Sequence, residues 1–178
     1  IPKKVSGIKS YAFSGCSNLK TVYYEGTIEQ WCNITVSSQP CRNGASLYIQ
    51  GELVDDLVIP DTITEIKDYA FYGCTSLTSV VIPDNITKIY DGAFEGCSAL
   101  ERVEIGAGIK SISDYAFRYC YILNDISVKA VTPPTITSLS FGDIGTKPTF
   151  RVSNASVEAY KTAEYWSDYA EMIMGCAF

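Results

Sequence analysis

Histidine is absent from all 178 residues. Without an imidazole there can be no Ser-His-Asp triad, no Cys-His dyad and no zinc site that uses histidine. Charge is sparse too, at 19% of residues where ordinary domains have about a quarter. Lys and Arg number 14 against 20 Asp and Glu, a net charge of −6, and the bases form no cluster. Phosphate contacts supply most non-specific affinity for nucleic acid, so no nucleic-acid partner is expected. No apolar run approaches the roughly 18–20 residues of a membrane span, so none is expected. Cys-x-x-Cys is missing, which argues against zinc, and no cofactor motif is found. The chain begins Ile1-Pro2 with no basic-then-apolar leader. That start falls inside a repeat, so the chain reads as a mature or truncated piece of a longer protein. The missing leader therefore does not fix a compartment.

Apolar residues make up 47% of the chain, enough for a sizeable core in one domain or a short repeat array. The repeat is explicit. Tyr69-Ala70-Phe71-Tyr72-Gly73-Cys74 returns as Asp91-Gly92-Ala93-Phe94-Glu95-Gly96-Cys97 and as Tyr115-Ala116-Phe117-Arg118-Tyr119-Cys120. The phenylalanines at 71, 94 and 117 set a period of 23 residues. An upstream copy is Tyr11-Ala12-Phe13-Ser14-Gly15-Cys16. After each copy come Leu19/Val22/Tyr24, Leu77/Val80/Ile82, Leu100/Val103/Ile105 and Leu123/Ile126/Val128. Before each come Val5/Ile8, Ile63/Ile66, Ile86/Ile89 and Ile109/Ile112.

A unit of this length cannot bury its own apolar face against the roughly 1–2 kcal/mol per residue that backbone ordering costs. Stacked units convert the apolar positions into continuous columns. Val80 and Ile82 alternate inward with Ser79 and Val81 outward, as on a strand. Pro60 and Pro83 end strands because proline cannot donate to a ladder. Ala-Phe with Gly and Cys reads as a tight turn on the opposite side, with the ring filling the centre of the coil.

At these residues the chain resembles the BspA-like leucine-rich repeat family of bacterial surface proteins. The segments 59–82 and 82–105 match its Ile-Pro, Ala-Phe, Cys and Leu-x-x-(Val/Ile)-x-(Ile/Leu) pattern almost throughout. Coil 1–24 matches with Tyr24 in the last apolar slot. Coil 105–128 departs at Gly106 and Tyr119. The resemblance implies a right-handed solenoid with a parallel β-sheet on its concave side and a cell-surface or secreted location. Asn85, Thr62 and Gly108 occupy the position where longer leucine-rich repeats carry asparagine, so no asparagine ladder is expected.

Five segments are expected: a coil at 1–24, an irregular insertion or modified coil with a hairpin at 25–58, three regular coils over 59–128, a degenerate coil and last strand at 129–153, and a helical cap at 154–178. The insertion should hold a short helix or turn at 27–32 with Trp31 inward, a polar loop at 37–46 and a hairpin turning at Gln50-Gly51. Its Gly-Thr-x-x-x-Trp signature looks like one that recurs in the family. Pro133-Pro134 and Gly142 to Pro148 read as loops. Asn154 is a plausible N-cap, and Trp166, Tyr169, Met172 and Ile173 share one helical face. Such a cap would cover an open apolar coil and a free sheet edge.

Seven cysteines invite the question of disulfides. Cys16, Cys74, Cys97 and Cys120 occupy one column, with neighbours about 5 Å apart but side chains pointing the same way. Buried free thiols acting as small hydrophobes are expected there. A bridge between Cys32 and Cys41, outside that column, remains open. Gly106-Ala107-Gly108 mimics the start of a dinucleotide motif but stands where a coil turns. Asn33, Asn85 and Asn154 begin Asn-x-Ser/Thr triplets, which matter only in a cell that glycosylates them. Tyr11, Tyr69 and Tyr115 form a row, broken by Gly92, that reads as side-chain packing rather than a sugar platform.

The outward strand positions are the candidate binding surface: Tyr23, Thr78, Ser79, Glu101, Arg102, Glu104, Asn124 and Asp125. Repeat proteins bind through such extended faces. The expected function is a non-enzymatic module for adhesion or protein–protein contact, taking a protein or glycan ligand at the cell surface, host matrix included. Two alternatives stand beside it. One is a polysaccharide-acting enzyme using Glu101 and Glu104 as paired carboxylates. The other is a structural spacer within a larger surface protein.

Overall fold

Alternation of aliphatic and polar residues directs the strands. In Ser79–Ile82, Arg102–Ile105 and Asp125–Val128 the second and fourth residues are buried and the first and third face outward. A computed structural model of the chain describes residues 1–37, 39–145 and 147–178. The loop expectations at Ser38 and Thr146 lie outside the described residues.

In chain order the strands are β1 (Gly7–Ile8), β2 (Thr21–Tyr24), β3 (Thr35–Val36), β4 (Ser46–Ile49), β5 (Glu52–Leu53), β6 (Asp56–Val58) and β7 (Glu65–Ile66). They continue with β8 (Ser79–Ile82), β9 (Lys88–Ile89), β10 (Arg102–Ile105), β11 (Ser111–Ile112), β12 (Asp125–Val128), β13 (Thr149–Ser153) and β14 (Ile173–Cys176). Helix α1 is Ile28–Cys32 and helix α2 is Val157–Thr162.

The main sheet has six parallel strands in the order β14-β13-β12-β10-β8-β6. Its register advances by the repeat: Ser79 pairs with Arg102 and Arg102 with Asp125. A second ladder, β7-β9-β11, runs along another side and reaches Thr135 through a bridge from Ser111. Backbone bonds at the Ala-Phe turn form a third line. There the Phe71 N–H donates to Ala93 O at 2.8 Å, Phe94 to Ala116 at 2.8 Å and Phe117 to Ser140 at 2.9 Å.

Inside, the phenylalanines stack. Ring centroids lie 5.4 Å apart for Phe71–Phe94, 5.3 Å for Phe94–Phe117 and 5.4 Å for Phe117–Phe141, with planes within 5° of parallel. Phe141 carries the column into the segment where the sequence pattern fades. Phe13 does not join it and is only half-buried.

The segment after the first coil holds the expected short helix, the inward Trp31 and the hairpin at Gln50-Gly51. Thr27 caps α1 reciprocally with Gln30: its side chain accepts from the Gln30 N–H at 3.2 Å, and Gln30 Oε1 accepts from the Thr27 N–H at 3.0 Å. Trp31 is buried and its Nε1 donates to Ala70 O at 2.9 Å. In the regular coils that alanine carbonyl takes a phenylalanine backbone N–H, so the indole replaces the missing Ala-Phe turn. Then β4 pairs with β2 in parallel and folds back on β5 through Gln50-Gly51, both at positive φ, as a type I′ turn requires. The ladder stops there: β2-β4-β5 is a separate sheet, and β6 opens the six-stranded one. The columns therefore do not run unbroken from the first coil.

The tyrosine row sits in the left-handed region, with φ of 65° at Tyr11, 57° at Tyr69 and 59° at Tyr115. Gly92 holds the same slot at 59°, and a Cβ there would lie 2.6 Å from the Tyr69 ring. Glycine thus both suits the backbone and lets Tyr69 lie across it. The packing expectation holds for the half-buried Tyr69 and fails for Tyr11, which is 84% exposed. Gly108 belongs to a coil turn; a Cβ there would sit 1.9 Å from Asp84 O.

The C-terminal segment is less helical than expected. Asn154 lies within a short 3-10 turn that begins after Ser153 and caps nothing with its side chain. Trp166, Tyr169 and Met172 recur every third residue because Trp166–Met172 is itself a 3-10 helix. Ile173 leaves that face and starts β14, paired in parallel with β13.

Candidate functional site: the outward face of the sheet

Parallel pairing in register turns single outward residues into rows across the sheet. One row reads Asp56, Ser79, Arg102, Asp125 and Thr149, the next Val58, Val81, Glu104, Ser127, Arg151 and Met174. The first is wired together. Ser79 Oγ donates to Asp56 Oδ1 at 2.6 Å and Thr78 Oγ1 to the same oxygen at 3.1 Å. Those two bonds, with Arg102 adding a favourable charge, hold the Asp56 carboxyl below the usual carboxylate range. Arg102 Nε lies 3.7 Å from Asp125 and Arg151 Nε 2.8 Å from it. Hydrogen bonding to Asp125 and its charge raise the Arg151 pKa further. In the second row, Lys129 pairs with Glu104 at 3.8 Å.

Six of the eight expected residues meet here. Thr78, Ser79, Glu101, Arg102, Asn124 and Asp125 surround, with Asp56, a shallow depression of about 220 Å³. Glu104 lies in the neighbouring row. Tyr23 belongs to the other sheet, where its ring lies tilted by 31° against Tyr48 with centroids 4.9 Å apart. Sequence reasoning missed Asp56, Tyr48 and Arg151. Asp56 carried a signal, since the 23-residue step runs back from Ser79 to it. Tyr48 and Arg151 carried a weaker one, being 25 residues after Tyr23 and 24 after Ser127. The depression offers a guanidinium flanked by carboxylates and hydroxyls, which suits polar recognition. Among the described residues no group of three or more Cys, Asp and Glu is placed to hold a metal ion.

A model of the BspA type leucine rich repeat region matches residues 1–55 and 44–158, with six copies of the repeat. The chain belongs to the BspA-type leucine-rich repeat family. A search of solved structures returns a leucine rich cell surface protein from Faecalibacterium prausnitzii A2-165 at 19% identity and a TM-score of 0.46. The alignment covers 99% of this chain and 56% of that one, so the chain spans little more than half of that structure's length. No curated protein matches. No helix among the described residues is long and apolar enough to cross a membrane.

The BspA-type cysteine column differs in one member from expectation. Cys16 is exposed, and the buried line is Cys41, Cys74, Cys97 and Cys120. Cys41 stands six residues before Leu47, as Cys16 does before its register partner Val22. Cys97 Sγ donates to Phe71 O and Cys120 Sγ to Phe94 O, each at 3.2 Å. Neither Cys32 nor Cys41 is bridged, and all seven cysteines are free. The neighbouring Cys41 thiol, then burial, pushes the Cys74 thiol far up. Burial raises Cys97 and Cys120 and lifts Cys32 to about 12. Such thiols are neutral and inert at neutral pH. Unfolded, unreduced protein is therefore expected to titrate all seven thiols, and folded protein chiefly Cys16. Two or more thiols missing from the unfolded count would show a bridge and overturn this.

Proposed function

We propose that this chain is a non-enzymatic, right-handed solenoid module of a surface or secreted protein, and that it takes a protein or glycan ligand on the outward, concave face of its sheet. Family membership supports the solenoid and the surface location. The observation that carries the binding site is the linked row from Asp56 through Ser79 and Arg102 to Asp125, which presents fixed charges and hydroxyls around one depression. Such polar sets confer specificity when their own geometry is preorganised. Residues Thr78, Glu101 and Asn124 complete its rim.

The test is binding of the purified chain to a panel of extracellular-matrix proteins and glycans. Arg102→Ala is expected to weaken the bound ligand by about tenfold or more, as truncation of a central interface arginine does. Melting curves of the variant check that the fold persists. Binding indifferent to Arg102 would move the site elsewhere. Polysaccharide cleavage lost on Glu101→Gln would favour an enzyme, and no ligand across the panel would favour a spacer.

A further inference from the structure

The face also carries an apolar row that the polar network does not use. Tyr23 pairs with Tyr48, and Tyr48 with Leu53 across the hairpin, so all three side chains share one face. On the six-stranded sheet Val58 pairs with Val81, also outward. Leu53 and Val58 line one cleft of about 190 Å³ where the ladder is interrupted, and this joins the two halves. Tyr23 is 56% exposed and Val58 is 63% exposed, high values for large apolar side chains. Contiguous apolar rows on a folded surface mark partner sites. Beyond the interruption, the free edges of β5 and β6 leave this region of the sheet unprotected.

Geometry selects the occupant. Three of the four steps from Tyr23 to Val81 are paired-strand steps of about 4.8 Å and the Leu53–Val58 step crosses the interruption, so the row spans roughly 19 Å or more. Successive anchors on one helical face are about 5–6 Å apart, and roughly 13 helical residues cover that length. Alternate residues of an extended peptide, about 6.6–6.8 Å apart, fall out of step. Charge selects further. Glu52, Asp55, Asp56 and Glu101 flank the row without an ion pair among the described residues. The nearby cations Arg102, Lys129 and Arg151 are already engaged by Asp125 and Glu104, and the Ile1 ammonium donates to the Tyr23 carbonyl. Leu53, Val58 and Val81 offer no donors to sugar hydroxyls, which disfavours a glycan on this row.

From these features we infer that the Tyr23–Tyr48–Leu53–Val58–Val81 row docks an amphipathic helix of a protein partner, apolar on the facing side and flanked by Lys or Arg. This deepens the binding-face reading and rests on it. The test selects a displayed library of random peptides of about 16 residues on the whole chain, with synthetic versions of the winners measured by fluorescence anisotropy. Enriched peptides are expected to carry apolar residues at i, i+3, i+4 and i+7 with net positive charge. Tyr23→Ser and Val58→Ser should each weaken them by about tenfold, and so should Lys→Glu changes in the peptide. Both protein substitutions lie at exposed positions, and unchanged melting curves confirm the fold. Lack of enrichment, acidic or non-helical winners, or binding indifferent to Val58→Ser would overturn the inference. So would glycans that bind the chain and are lost on Tyr23→Ser. Peptides that need Arg102 but not Val58 would overturn the row and leave the polar face standing. No ligand of any class on either row would remove both.

Discussion

Phe94→Ala is expected to destabilise the protein by about 3–5 kcal/mol in urea unfolding, the range for emptying a fully buried aromatic site. Phe94 has a ring on each side, at 5.4 Å and 5.3 Å, so the void has no solvent-side wall that could move in. Its backbone is pinned as well: the N–H donates to Ala116 O and the carbonyl accepts from Cys120 Sγ. The coils above and below are therefore held apart at the strand spacing, and the cavity persists. Phe13→Ala is the internal control. Phe13 is half-buried, outside the stack, in the first coil, so its loss should cost under about 1.5 kcal/mol. Equal losses at the two positions would mean that stacking adds nothing to Phe94. Because coils couple chiefly to their neighbours, the Phe94→Ala transition should also broaden or split as the two sides melt separately.

Why Phe94 was legible and Phe141 was not follows from spacing. The sequence shows a column only while the step stays at 23, and Phe117 to Phe141 takes 24, with Ser140 in place of alanine. Backbone bonds tolerate that slip: the Phe117 N–H still finds Ser140 O at 2.9 Å. The exposed Cys16 and the buried Cys41 make the same point from the other end. Identity of motif placed Cys16 in the column, but burial depends on what is stacked on each side. Trp31 shows a third limit, since a side-chain N–H standing in for a backbone N–H leaves no periodic trace.

The binding face was readable where pairing is regular. Thr78, Ser79, Glu101, Arg102, Asn124 and Asp125 come from three coils of identical length, and pattern alone brought them together. Tyr23 was separated from them because the hairpin after β4 interrupts the ladder, an event encoded by the positive φ of Gln50 and Gly51 rather than by any repeat position. The same interruption hid Tyr48, which lies inside the segment that breaks the period, while Asp56 stands one step of 23 before Ser79 and kept its signal.

Deleting residues 154–178 should leave the remainder insoluble. Two side chains anchor this segment on the last coil: Tyr160 Oη donates to Ala130 O and Trp166 Nε1 to Pro134 O, each at 2.8 Å. Burial lifts the Tyr160 phenol well above its ordinary range, so it stays a neutral donor at any working pH. Trp166 meets Phe150 edge-on at 5.5 Å and Phe141 at 5.9 Å, closing the end of the phenylalanine column. β14 covers the β13 edge. Truncation would expose Phe141 and Phe150 together with a five-residue strand edge, the combination that drives edge-to-edge association. The milder variant Trp166→Ala keeps β14 and should cost about 3–5 kcal/mol, since it empties a buried aromatic site and leaves Pro134 O without its donor. Soluble expression and a single cooperative melt for residues 1–153 would show that the last coil needs no cover. If Trp166→Ala were also nearly neutral, the aromatic cluster would be packing against a column already closed by β13 alone.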